Sequence, residues 1–408
     1  MKGTFTCTAV LAVLLCSIAG CKMGQVPSRP TIPLVERIIG DAQSPEYKYL
    51  SQFDAGNPHG DIVLLDMPER AFSLSERLIT CDERENVDGS AKSDALPDFA
   101  GERITTLIDL LYTPYDRFVS ADNGGALREV TVRAALAAVD TACCLGPFDH
   151  ENRSWKPFAK LVVLSSPYFA AYGGFDVDTL FRATGANVPV IYATEEMFAS
   201  VMDQRPGAVN VGILSDPTTA KSGAYQTIFR EFCRKRGSSY STLSEFSTPD
   251  EVSDSVTMLS SGAVPDAFKL ILDQYAKSGK APALDALIVD DPTVSVDSLS
   301  VSYLRILNQP SEENAYYRKM LAKGFNIIDG AQVVTDACYR FLRNKNLFTH
   351  NISYPIAAAY ITSPESKGFQ LMDFDVNALP VEMSDKLRSI APGTYKMYVQ
   401  DQYHARGN

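Results

Sequence analysis

Apolar residues in this chain gather in short, nearly continuous runs at 62–66, 161–164, 188–192, 209–214, 286–289 and 325–328. Runs that do not alternate with polar residues predict strands covered on both faces, as in a parallel sheet. Between the runs, apolar positions recur every three or four residues. Over 125–142 the stripe is Leu127, Val130, Val132, Ala135, Leu136 and Val139. Over 222–236 it is Tyr225, Ile228, Phe229 and Phe232, with Gly237 suited to the C-terminal cap, and over 331–343 it is Val333, Val334, Ala337, Phe341 and Leu342. That period predicts amphipathic helices. Strand and helix in alternation predict an α/β protein: two domains with mainly parallel sheets flanked by helices, and a cleft between them. Ligands of such sheets sit beyond the C-terminal strand ends, so candidate chemistry is sought just after each run. The polar, Asp/Ser-rich stretch 82–98 reads as a surface loop.

The first residues follow a different pattern. Lys2 precedes an apolar core at 9–19, too short to span a bilayer, which ends in Ile18-Ala19-Gly20-Cys21. Small residues before a cysteine resemble the lipobox of bacterial lipoproteins. The expectation is a signal peptide over 1–20, cleaved before Cys21, and lipid attachment at Cys21. Each buried methylene of such a lipid contributes about 0.8 kcal/mol, so several chains anchor firmly. Residues 22–40, with Pro27, Pro30 and Pro33, read as a tether. The expected organisation is anchor and tether over 21–58, a first α/β domain over 59–205, a second over 206–375 and a C-terminal extension over 376–408. A crossing back of the chain near 325–375 is left open. The expected location is the cell envelope, lipid-anchored, on the outer membrane facing the periplasm if the host has two membranes.

With 49 acidic and 38 basic residues, and no basic cluster, the net charge of −11 makes nucleic acid an unsuitable partner. Five cysteines follow Cys21, at 81, 143, 144, 233 and 338. An odd count leaves at least one thiol unpaired within the chain, and the spacings do not form a metal site. Adjacent Cys143 and Cys144 are poorly placed for a mutual disulfide, and one of them is expected to face the core. The histidines at 59, 150, 350 and 403 are scattered. There is no phosphate loop, dinucleotide fingerprint, Gly-x-Ser-x-Gly elbow or zinc-protease helix, so neither cofactor nor metal is expected.

Read in order, the strand ends carry a likeness. Val211-Gly212-Ile213-Leu214 is followed by Thr218-Thr219-Ala220-Lys221-Ser222-Gly223-Ala224-Tyr225-Gln226. Ile327-Ile328-Asp329-Gly330-Ala331 leads into a helix, and Ala359-Tyr360-Ile361-Thr362-Ser363-Pro364 follows. Leu64-Leu65-Asp66 supplies an aspartate at the first strand end, and Tyr112-Thr113-Pro114-Tyr115 a later loop. Over roughly 60–375, this order resembles glutamate racemase of the aspartate/glutamate racemase superfamily. The Thr…Ser-Gly-x-Tyr-Gln run is its clearest piece, and Tyr112-Thr113-Pro114-Tyr115 resembles the family's Pro-Tyr-Gly loop.

The resemblance implies two cysteines on opposite faces of a substrate α-carbon, one removing the proton and one returning it. Where the first would stand, the chain reads Ser165-Ser166-Pro167-Tyr168; where the second would stand, it reads Asp290-Asp291-Pro292-Thr293. Met67-Pro68 replaces the Ser-Gly after the first aspartate, and Asp116 the glycine of the Pro-Tyr-Gly loop. A hydroxyl is a poor acid and base, and an aspartate starts near a pKa of about 3.9 against about 8.5 for cysteine, roughly 6 kcal/mol of lost driving force as a base. Two-cysteine racemisation is therefore not expected. The candidate cleft residues are Asp66, Pro114, Tyr115, Ser165, Ser166, Asp290, Asp291 and Thr293. The reading is a membrane-anchored, racemase-like lipoprotein that binds a small polar molecule, an amino acid among them, or an envelope protein. The alternatives are a transporter's solute-binding lipoprotein and an isomerase or related enzyme with altered acid and base residues.

Overall fold

Where an apolar run leaves no polar face, its strand must be covered on both sides, and residues 61–66, 159–164 and 210–215 are buried throughout. In a computed structural model, which describes residues 29–109, 112–116, 118–119, 124–146, 149–205, 207, 209–238, 240–249, 266–279, 282–351, 353–363 and 396–404, all six runs are strands. Among the described residues the strands in chain order are β1 (Asp61–Asp66), β2 (Arg103–Ile108), β3 (Ala142–Gly146), β4 (Asp149–Trp155), β5 (Ala159–Leu164) and β6 (Val190–Tyr192). They continue with β7 (Asn210–Ser215), β8 (Thr242–Ser247), β9 (Leu284–Val289), β10 (Leu321–Asp329), β11 (Ile356–Ser363) and β12 (Lys396–His404). One sheet has eight strands in the order β4-β3-β12-β11-β2-β1-β5-β6, and the other has four in the order β10-β9-β7-β8.

The α/β class with mainly parallel sheets holds. β11, β2, β1, β5 and β6 run parallel, as do all four strands of the smaller sheet. Leu65 of β1 stands opposite Leu107 and Leu164. The chain fills the larger sheet as far as β6, builds the smaller one with β7 to β10, and returns to the larger sheet with β11. β12, from the stretch expected as an extension, pairs antiparallel with β11.

Alternate residues of a strand face opposite sides, so β1 feeds two cores. Val63 and Leu65 join one cluster with the helix Gly125–Val139 and with Val177, Leu180 and Phe181 of the helix Gly174–Thr184. Ile62 and Leu64 join a second. That second cluster also holds Val211, Ile213, Ala286 and Ile288 of the smaller sheet, so it is common to both sheets. Between them lie the helices Pro68–Thr80, Ala193–Met202, Ala224–Arg236 and Gly330–Lys345. The outer face of the smaller sheet packs Leu287 and Val289 against the helices Ala267–Lys277 and Val296–Asn308. Each fully buried Leu, Ile or Phe contributes about 1.5–3 kcal/mol.

Two sequence expectations need correction. The tether expected up to residue 58 is folded from Pro33 onward. Pro33–Gly40 and Pro45–Ser51 are helices, and Val35, Ile38 and Leu50 are buried in the first cluster. Both prolines occupy the first helical turn, where the missing N–H has no partner to lose, so they mark helix starts and not an extended spacer. Ser44 caps the second helix by accepting the Tyr47 amide at 3.2 Å. The helix expected over 125–142 ends at Val139, and Ala142–Gly146 is a strand. Cys143 is buried on that strand, and the side chain of Cys144 lies outside the described residues. Cys81, Cys233 and Cys338 are buried free thiols, and Cys143 is buried too. Residues 1–28, with Cys21, lie outside the described residues.

Candidate functional site

β1 ends in Asp66, whose side chain is 0% exposed. Its Oδ1 accepts the Met67 amide at 2.7 Å, while Oδ2 is buried with no hydrogen-bond partner. Burial pushes this carboxyl up to about 7, against the pull of the Arg70 guanidinium and the Met67 amide. Pro68 then starts a helix, which places Arg70 in its first turn, beside the strand end.

Arg70 is buried and faces groups from the other sheet. Its Nη1 lies 2.7 Å from Asp290 Oδ1, just beyond β9. Its Nη2 donates to Asp216 Oδ2, beyond β7, at 3.2 Å and to the Tyr225 hydroxyl at 3.3 Å. Tyr225 donates in turn to Asp290 Oδ2 at 2.5 Å. Burial raises the Asp290 carboxyl above its ordinary value, and Arg70 and Tyr225 oppose that rise. Asp216 is held below its ordinary value: although burial works against ionisation, Arg70 and the helix-capping bonds from Thr219 prevail. One guanidinium thus ties the C-terminal end of β1 to two strand ends of the smaller sheet.

Asp291 is buried beside this cluster. Its Oδ2 accepts the Thr248 hydroxyl at 2.6 Å, and its Oδ1 accepts the amide and hydroxyl of Thr293 at 2.9 and 2.7 Å. All three donors are neutral. Ser165, after β5, donates to the Leu65 carbonyl at 3.3 Å. Ser166 is fully buried, and its hydroxyl has no hydrogen-bond partner. Tyr115 is buried with its hydroxyl donating to Asp109 Oδ2 at 3.2 Å and its ring 5.0 Å from that of Phe169.

A cleft of about 630 Å³ opens at these strand ends. Its wall includes Asp66, Ser165, Asp290 and Asp291 of the sequence candidates, drawn from β1, β5 and β9. Pro114, Tyr115, Ser166 and Thr293 are not part of that wall. Tyr115 packs its loop, and Thr293 braces Asp291. Arg70, Arg77, Asp297, Asp329 and Gln332 line the cleft without having been singled out by the sequence. For Arg70 a signal exists: it lies four residues after the strand-end aspartate, across a Pro68 that opens a helix. Arg77 donates to Gln332 Oε1 through Nε at 2.8 Å, at the cleft mouth. Among the described residues no group of three or more His, Cys, Asp or Glu side chains is arranged to hold a metal ion.

The arrangement is a two-sheet α/β fold with a polar cleft at converging C-terminal strand ends. No protein-family model and no curated protein matches the chain. Among solved structures, a glutamate racemase from Bacillus anthracis is similar over 79% of this chain and 93% of its own, at 14% identity and a TM-score of 0.46. A glutamate racemase from Francisella tularensis in complex with D-glutamate is similar over 84% and 97%, also at 14% identity and a TM-score of 0.46. A putative Asp/Glu racemase from Yersinia pestis is similar over 69% of this chain and 98% of its own, at 12% identity and a TM-score of 0.35.

Proposed function

We propose that this chain is a lipid-anchored protein of the cell envelope that binds a small polar molecule in the strand-end cleft and does not interconvert amino-acid enantiomers. The observation that carries the reading is the mismatch at the two positions where a proton-transferring pair is needed. Position 166 holds a buried serine off the cleft wall, and position 291 holds an aspartate whose two oxygens already accept three hydrogen bonds. Two-base chemistry needs two groups of matched pKa facing one carbon. A cleft of about 630 Å³ falls in the size range of small-molecule sites, about 300–1,000 Å³.

The lipid anchor rests on the Ile18-Ala19-Gly20-Cys21 pattern. Binding is tested by thermal melting of the lipidated protein in detergent against a panel of small polar amines, acids, polyols and amino acids. A ligand present at about a hundred times its Kd raises stability by about 2.7 kcal/mol, a shift of several degrees. The reading requires at least one such shift, lost in Asp66→Asn. A flat panel contradicts it.

A further inference from the structure

Resting on the cleft-binding reading, we infer that the cleft takes an aliphatic organic cation, an alkyl amine or guanidine with N–H donors. Three observations on different parts of the wall point there.

The first is the charge of the lining. Asp66, Asp290 and Asp291 stand at the buried end, and Glu76, Asp297 and Asp329 nearer the mouth. Arg70 and Arg77 are the cationic residues of the wall. Six carboxyl groups against two guanidinium groups give a formal −4 with every group ionised, and among the described residues no lysine or histidine lines the cleft. Arg70 is already committed to Asp290 and Asp216, and Arg77 lies between Glu83 at 3.5 Å and Asp329 at 3.8 Å. An entering carboxylate would find no uncommitted cation. In a partly desolvated cleft, like charges juxtaposed across an interface cost several kcal/mol.

The second is Asp66 itself. Asp66 lines the cleft, and its Oδ2 is buried with no hydrogen-bond partner. The neighbouring Ser165 hydroxyl lies 3.3 Å from the Leu65 carbonyl and close enough to Asp66 to favour its charged form weakly. A buried carboxylate oxygen without a donor is costly, and an N⁺–H from a ligand supplies donor and counter-charge together. Asp291 adds a second carboxylate whose donors are all neutral.

The third is the apolar part of the wall. Leu74, Met197, Val289, Val294 and Val334 line the same cleft. Apolar side chains and carboxylates in one wall suit a short methylene chain that carries cationic groups. They do not suit a polyol, which would leave its hydroxyls facing methyl groups.

The test is calorimetric titration of the lipidated protein in detergent with three four-carbon probes: 1,4-diaminobutane, 1,4-butanediol and succinate. The diamine is expected to bind at least about tenfold more tightly than either other probe. Asp66→Asn should weaken diamine binding by about tenfold or more, the size of a lost charge-assisted bond. Asp297→Asn, at an exposed mouth position that the fold does not depend on, should weaken it by a smaller factor. Succinate or butanediol binding more tightly than the diamine, with loss in Asp66→Asn, would overturn the cationic class and leave the cleft reading standing. Absence of diamine binding also overturns the cationic class; the cleft reading falls with it only if the wider melting panel is flat too.

Discussion

A guanidinium 7% exposed must have its charge answered, and Arg70 is answered from the opposite sheet by Asp290 and Asp216. Removing it strands two carboxylates and the Tyr225 hydroxyl. Arg70→Met is therefore expected to cost about 3–5 kcal/mol in urea unfolding, the range for breaking a buried ion pair from one side. A cost under about 1 kcal/mol would mean that the cluster is already solvated. Asp66 carries the opposite problem: burial raises its pKa to about 7, and burial raises Asp61 to about 6. Both carboxyls hold their proton to higher pH when folded than when unfolded, near about 3.9. Their contribution to stability is complete below about pH 4 and is lost as pH rises through about 6 to 7. Asp66→Asn imitates the protonated form. Its melting temperature should fall less than that of the wild type between about pH 5 and about pH 8; equal slopes would contradict the assignment. Asp66 was legible in the sequence because it closes an apolar run. Arg70 was not, because an arginine early in an amphipathic helix has the sequence pattern of a solvated residue, and its partners lie 146 and 220 residues away by numbering.

At the scale of elements, the strands found from sequence are those with runs broken by at most one polar residue or proline. β2, Arg-Ile-Thr-Thr-Leu-Ile, escaped because Thr105 and Thr106 interrupt the run. Both threonines are buried, and their hydroxyls are satisfied by Asp61 at 2.5 Å and the Ala358 carbonyl at 3.3 Å. That information sits on neighbouring strands and cannot be read locally. β8 alternates polar and apolar residues, Thr-Leu-Ser-Glu-Phe-Ser, as an edge strand of the smaller sheet does. The two N-terminal helices were hidden by their prolines. Ile38, fully buried in the first cluster, shows that this segment belongs to the fold. Ile38→Ala should cost about 2–5 kcal/mol in urea unfolding. A change within about 0.5 kcal/mol would return residues 33–51 to the status of a tether.

Over the whole molecule, the layer of helices common to both sheets sets where their strand ends meet. The cleft follows from that geometry together with the shortness of the β1–helix and β9–helix connections. The α/β class was legible because periodicity is local. The composition of the cleft wall was only half legible, since Arg77, Asp297 and Gln332 reach it from helices that carry no strand-end signal. On the proposed reading, a ligand in the cleft would meet the Asp66 and Asp291 carboxylates as acceptors.

The central claim, a cleft that binds without transferring protons, is tested most directly by α-proton exchange. The purified protein is incubated in deuterated water with each enantiomer of glutamate and aspartate, and the α-proton signal is followed by NMR. The account requires no exchange above the buffer rate for any of the four, since a missing base cannot be offset by uniform binding. Exchange into both enantiomers of one amino acid, abolished by Asp291→Asn, would contradict it and make the chain a racemase with an aspartate in a cysteine's place.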